Sequence, residues 1–261
     1  MMEMNIYRRK RIYKKRTKDR KYSGWHLIED IQRYEYEVKE YKEFMNNVFP
    51  KSAMYAASIK EYIEYLSFTI DILIKEVKYS SLLEINRGNS RDRFIYPFFK
   101  FDLEFIGLPD YKNKVFVDID IEKGNVISSP WNRKRYIRGV NYFKENDFKY
   151  DKKNHMAYYY DYLNITCAYN GIHSLGIGAC NGRGTIKAEY YDTVKLFQFI
   201  EANDDLSFTY NKKNTLEYMK KNNIPITHKF KEDLNSRVYG TDYRMMIIYE
   251  LAKLKYELEN R

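Results

Sequence analysis

Apolar residues recur at helical spacing through the first third of the chain. Leu27, Ile31, Tyr34, Val38, Tyr41, Met45 and Val48 step by four and three with charges between them, which predicts a helix from Trp25 to Phe49. Asn46, Asn47 and Pro50 are its stop signals. Ile59, Ile63, Leu66, Ile70, Leu73 and Val77 repeat the spacing in a second helix, expected to start at a Ser52 cap and to reach Tyr79. Two helices joined so closely predict a helical hairpin over 25–85 with its apolar seams facing each other. Glu35, Glu37, Glu40 and Glu43 fall mostly off the seam and read as a solvated face.

The pattern then changes. Residues 86–93 are polar and read as a linker, and the stretch from Phe94 to Phe105 is aromatic and β-prone. From Val115 to Ile121 the period is two: Val115, Val117, Ile119 and Ile121 on one face, Phe116, Asp118 and Asp120 on the other, which predicts a strand. Glu122 to Asn125 is a turn, Val126 and Ile127 resume the strand pattern briefly, and Pro130 with Trp131 breaks it. Asn132 is positioned to cap a helix through Tyr136, Ile137, Val140 and Phe143. Residues 144–155 read as loop. Strands are expected at Leu163–Tyr169 and Thr185–Tyr190, with a short glycine-bearing helix between them. Asp192 caps a further expected helix over Val194–Ile200, and the chain ends in a helix from Tyr243 to Leu258. Residues 207–236 show no clear period. The expected architecture is α+β or α/β: a basic tail over 1–24, the helical hairpin, and a mixed α/β domain over 94–261.

Charge sharpens the picture because of where it lies. The net charge is +10, and residues 8–21 hold ten Lys or Arg against Asp19 alone, so the body is nearly neutral. Arg8, Arg9, Lys10, Arg11, Lys14, Lys15 and Arg16 form the densest block. Such a block attracts polyanions, and nucleic acid is the expected one. Tyr7, Tyr13 and Tyr22 interleave with it and suit base stacking. An acidic protein surface, or no specific partner, stays open as an alternative. The 28 tyrosines imply many side chains with the ring inside and the hydroxyl at the surface. No apolar run is long enough to span a bilayer, no apolar segment follows the N-terminal charges, and Cys167 and Cys180 make no disulfide framework. A reducing, cytoplasmic setting is the expectation.

The candidate chemistry converges on residues 170–186. A β-prone run enters Asn170 and Gly171, and His173 and Ser174 follow at the start of a helix. A strand that turns through glycine into a helix gathers backbone N–H groups, which suits an anion and a phosphate above all. His173 is the expected general acid/base or phosphate donor, and Ser174 supplies a hydroxyl beside it; the alternative is a hydrogen-bonded structural histidine. Gly176 and Gly178 imply tight packing or close ligand contact. Arg133, Lys134, Arg135 and Arg138 crowd the first turns of the helix capped by Asn132, where cations oppose the helix dipole, so an anionic partner is expected there as well. Asp118 and Asp120 project from one side of their strand and are candidates to hold a divalent cation, though such pairs are more often a wet strand face. No phosphate-loop or dinucleotide glycine fingerprint is present.

Gly171-Ile172-His173-Ser174, with Asn132-Arg133-Lys134-Arg135 some forty residues upstream, resembles the ParB/sulfiredoxin-like superfamily over about 115–200. That resemblance implies a strand, glycine turn and helix around a phosphate ligand. No thiol stands where peroxidase-reductase chemistry would need it. From about residue 95 to the C-terminus the chain also resembles an uncharacterised bacterial and phage family with a comparable Asn-His-Ser turn and a Pro-Trp-Asn element. The function expected is phosphate-ligand binding, of a nucleotide or nucleic acid, with a nuclease or nucleotide-dependent switch as its catalytic forms. A nucleotide or a divalent cation is the candidate cofactor. The alternative is a protein-interaction factor in phage–host conflict, acting without catalysis.

Overall fold

The alternation read from Val115 to Ile121 becomes an edge strand in the computed structural model, which describes residues 24–48, 51, 54–86, 114–239 and 242–261. The basic tail, the Ser52 cap, most of the 86–93 linker and the aromatic stretch 94–105 lie outside those residues. The chain divides into two units after Glu40. In the first, the described residues belong to helix α1 (Gly24–Glu43), where Arg33 and Glu37 pair one turn apart at 2.6 Å. In the second, α1 ends in a short π-helical segment, Phe44–Val48.

Helix α2 (Ile59–Asn86) begins later than the Ser52 reading and runs further than Tyr79. Ser58 Oγ accepts from the Glu61 N–H, and Glu61 Oε2 reaches back to the Ala57 N–H at 2.7 Å. This reciprocal cap fixes the start. Leu66, Ile70, Leu73, Ile74 and Val77 are buried along one face, as the spacing requires. That seam packs on the C-terminal helix α8 (Tyr243–Glu259). Along α8, Met245 to Tyr249, Leu251 and Ala252 are all buried, so the helix is enclosed nearly all round.

The main sheet has the order β1-β5-β3-β4-β2, with β1 (Phe116–Asp120), β2 (Val126–Ile127), β3 (Met156–Tyr160), β4 (Ile165–Asn170) and β5 (Thr185–Tyr191). β1 pairs antiparallel with β5, β5 parallel with β3, β3 antiparallel with β4, and β4 parallel with β2, so the sheet is mixed and the fold is α+β. β3 has no counterpart in the sequence reading. Three consecutive tyrosines obscure its period, yet it sits at the centre of the sheet. Tyr160 is enclosed, and Tyr158 stacks on Tyr169 of β4 at 4.4 Å.

Helix α4 (Ile172–Asn181) lies on the sheet through Ile172, Leu175 and Ala179, against Ile119, Ile121, Ala157, Ala168, Ile186 and Ala188. The alanines let helix and sheet approach closely. A Cβ on Gly176 would lie 2.9 Å from Leu82 and 3.3 Å from Pro130, and one on Gly178 would lie 3.0 Å from Phe148, so both glycines serve close packing. Helix α3 (Arg133–Glu145) seats Tyr136 against Leu82 and Ile85 of α2 and Ile177 of α4. Two buried serines join these parts: Ser81 Oγ donates to the Ser128 carbonyl, and Ser128 Oγ to the Ile172 carbonyl.

The unassigned stretch 207–236 holds regular structure. Helix α5 (Thr193–Phe199), capped by Asp192, leads into β6 (Ile200–Asn203) and β7 (Ser207–Tyr210). Then come α6 (Lys212–Lys221), α7 (His228–Asp233) and β8 (Val238–Tyr239), which completes a sheet of order β6-β7-β8.

Candidate functional site

The bend from β4 into α4 places Asn170, Gly171, His173 and Ser174 together, as the strand–glycine–helix pattern requires. Asn170 Oδ1 accepts from the Gly171 N–H at 2.9 Å. Gly171 is the N-cap in the left-handed region, φ 66°, and provides no side-chain cap. Among the described residues, the N–H groups of Ile172, His173 and Ser174 have no hydrogen-bond acceptor; the first amide of α4 with a protein partner is that of Leu175, bonded to the Gly171 carbonyl.

The basic and glycine elements, some forty residues apart in the sequence, meet here. The Asn132 N–H donates to His173 Nε2 at 3.0 Å, so the N-termini of α3 and α4 abut. Asn132 Oδ1 accepts from the Arg135 N–H and caps α3. Trp131 packs edge-on against the His173 ring at 5.7 Å, and the Arg135 guanidinium lies over the Trp131 ring, also at 5.7 Å. Arg133, Lys134, Arg135 and Arg138 are all exposed. None has an acidic partner among the described residues. Two positive helix ends and four cations therefore lie close together, with no acidic partner among the described residues to balance the cations.

His173 is half-buried, and its pKa is lowered by burial and by the neighbouring Arg135 guanidinium. Accepting the Asn132 N–H requires Nε2 to be unprotonated, so the ring proton of the neutral form sits on Nδ1. In this arrangement His173 is a donor through Nδ1 and not a base through Nε2.

Ser174 has a different neighbourhood from the one its sequence position implies. Its Oγ donates to the Gly171 carbonyl at 2.9 Å and lies 2.8 Å from His155 Nε2. His155 Nδ1 accepts from the Asp151 N–H, so Nε2 carries the proton and donates to Ser174. The polarity is the reverse of a serine activated by a histidine base. Burial lowers the His155 pKa and keeps this donor neutral. Sequence reasoning passed over His155, since its partner lies 19 residues away and the residues around it read as loop.

Asp118 and Asp120 share a face of β1, as expected, but each has a local partner. Asp118 lies 3.9 Å from the Lys187 ammonium, and Asp120 Oδ1 accepts from the N–H groups of Glu122 and Lys123 in the following turn. Among the described residues, no three His, Cys, Asp or Glu side chains cluster as metal ligands. Cys167 is buried in the sheet and its thiol pKa is pushed up to about 12 by that burial. A cavity of about 710 Å³ is lined by Glu43, Lys51, Tyr55 and Tyr65, and one of about 300 Å³ by Phe143, Phe148, Asn181 and Arg183. Neither includes His173 or the cations of α3. Among the described residues, no helix is long and apolar enough to cross a membrane.

No curated protein and no solved structure matches the chain. The model of a family of unknown function, DUF6710, matches residues 10–261, nearly its whole length, and the chain belongs to that family.

Proposed function

We propose that the chain binds a phosphate-bearing ligand, a nucleotide or nucleic acid, where α3 and α4 abut. The observation that supports this is the set Arg133, Lys134, Arg135 and Arg138: exposed, without acidic partners among the described residues, and gathered at two helix N-termini joined by the Asn132–His173 hydrogen bond. Cations so placed raise the energy of the free protein, and a bound phosphate relieves it. In this reading the Arg133 and Arg135 guanidinium groups and His173 Nδ1–H donate to phosphate oxygens, Arg138 reaches the ligand from the next turn of α3, and Asn170 and Gly171 shape the turn beside them. Nuclease action and a ParB/sulfiredoxin-like relationship are finer proposals on the same residues. The Ser174 geometry gives a nuclease no activated hydroxyl, so attack by water would be its route. The basic segment Arg8–Arg16 adds polyanion affinity in the same direction.

Titration of the full chain with a panel of nucleotides and short oligonucleotides tests this reading. Arg133→Ala with Arg135→Ala and Arg138→Ala is expected to weaken binding at least tenfold, since each lost charge-assisted contact contributes about 1.5–3 kcal/mol. Unchanged affinity in the triple variant overturns it.

A second reading, a protein-interaction factor, is favoured by one different observation. Tyr65, Phe68, Ile72, Tyr79 and Leu83 form an exposed row along α2, with Phe68 64% and Ile72 47% accessible. Rows of this kind mark contact faces. Under this reading Phe68→Ser with Ile72→Ser abolishes partner capture while the arginine triple variant leaves it intact; phosphate binding expects the reverse.

A further inference from the structure

The outward face of α3 carries more than a phosphate contact needs. From Arg133 to Lys144 the helix has five cations, Arg133, Lys134, Arg135, Arg138 and Lys144, and its first acid is Glu145 at the end. All five are exposed and none has an acidic partner among the described residues. Between them the same face presents Asn141 with Ile137 and Tyr142, the last two 47% and 56% accessible. The opposite face is seated: Tyr136 is buried against α2 and α4, and Val140 and Phe143 pack beside it. The N-terminus is fixed twice, by the Asn132 cap and by the Asn132–His173 bond. The result is a helix of 13 residues, about 20 Å long, held at its start and along one side, whose other side is cationic and exposed.

We propose that α3 docks in the major groove of duplex DNA. This rests on the phosphate-binding reading above and names its ligand. A helix with side chains is about 10–12 Å across, and the major groove of B-form DNA is about 12 Å wide. The deep, narrow major groove of duplex RNA does not admit a helix. A single strand calls for several stacking rings along a channel, whereas this face offers Tyr142 alone. Arg133 and Lys134, at the first turn beside His173, contact the phosphate backbone. Lys134, Arg138 and Asn141 follow one another at helical spacing along the crest of the face. Arg138 and Asn141 therefore reach base edges, where arginine pairs with guanine and asparagine with adenine through two hydrogen bonds each. Ile137 flanks them as a partner for a thymine methyl group.

The test is selection of 20-base-pair duplexes from a random pool by the full chain, followed by binding titrations at two salt concentrations. Selection is expected to return a preferred sequence. Arg133→Ala with Lys134→Ala is expected to weaken binding to all duplexes alike and to lower the slope of log affinity against log salt by about 2, since each phosphate contact contributes about 0.9. Asn141→Ala is expected to weaken the selected duplex about tenfold while leaving random duplexes unchanged. The basic N-terminal segment is common to every variant, so the differences report on α3. No sequence preference, an equal effect of Asn141→Ala on all duplexes, or tighter binding to duplex RNA or a single strand overturns the docking proposal. Nucleotide binding that depends on Arg133 and Arg135 with no duplex binding overturns it while leaving the phosphate reading standing. Loss of both kinds of binding removes the two together.

Discussion

Gly171→Ala should destabilise the protein by about 3 kcal/mol, the largest loss expected from a single methyl group at the candidate site. Two separate effects add. Gly171 sits at φ 66°, where a side chain costs about 1–2 kcal/mol. A Cβ there would also lie 2.4 Å from the Asn154 carbonyl oxygen and 2.5 Å from the His155 ring, and forcing such an overlap costs about 1–3 kcal/mol. Gly182, at the other end of α4, is the internal control. Its φ is 65°, but a Cβ there would meet its nearest neighbour, the Glu122 side chain, at 3.6 Å. Gly182→Ala should therefore show the conformational part alone, about 1 kcal/mol. Urea melts of both variants measure the difference. Equal losses would mean that the 151–155 turn does not press on Gly171, and the His155–Ser174 contact would lose its support.

How much of this was legible in the sequence depends on how far each partner lies along the chain. β1, the Asn132 cap of α3, the Asp192 cap of α5 and the final helix follow from neighbours within a few residues, and the structure has them where period and capping chemistry put them. The start of α2 was readable but misread. Ser58 followed three residues later by Glu61 is the stronger start signal, and Ser52 lacks that glutamate. β3 was missed because its five residues, Met156, Ala157 and three tyrosines, offer no polar positions to alternate with the apolar ones.

At the site, residue types were legible and atoms were not. A glycine turn before a histidine, and a run of cations at a helix start, each announced themselves locally. Their meeting depends on a hydrogen bond across 41 residues. Which nitrogen of His173 remains available, and which way the His155–Ser174 bond runs, are set by backbone N–H groups that no side-chain spacing encodes. That the Ser174 hydroxyl, expected to face a ligand beside His173, instead donates to the Gly171 carbonyl and accepts from His155 is a consequence of that kind.

Those two backbone donors also make stability depend on pH. His155 Nδ1 and His173 Nε2 each accept a main-chain N–H, at 2.9 and 3.0 Å, and can do so only when unprotonated at that atom. Burial lowers both pKa values, with Arg135 adding to the effect at His173. The folded state therefore resists protonation that the unfolded chain accepts near pH 6.5. Wherever the unfolded chain binds more protons, stability falls as pH falls. The contribution of the pair is complete above the unfolded value and is lost as pH drops through the two folded values. Each protonation sets two donors facing one another and removes a bond of about 1 kcal/mol, so stability should fall between pH 7 and pH 5, toward a total loss of about 2 kcal/mol once both rings are protonated. His155→Asn and His173→Gln place an amide oxygen near the lost acceptor nitrogen and cannot titrate. The double variant should lose far less stability than the unaltered chain between those pH values, with carboxylate protonation common to both. Urea melts at pH 7 and pH 5 decide it. Parallel losses in the two proteins would show that neither imidazole is held neutral by its backbone partner, and the assignment of His173 as a donor through Nδ1 would fall with that result.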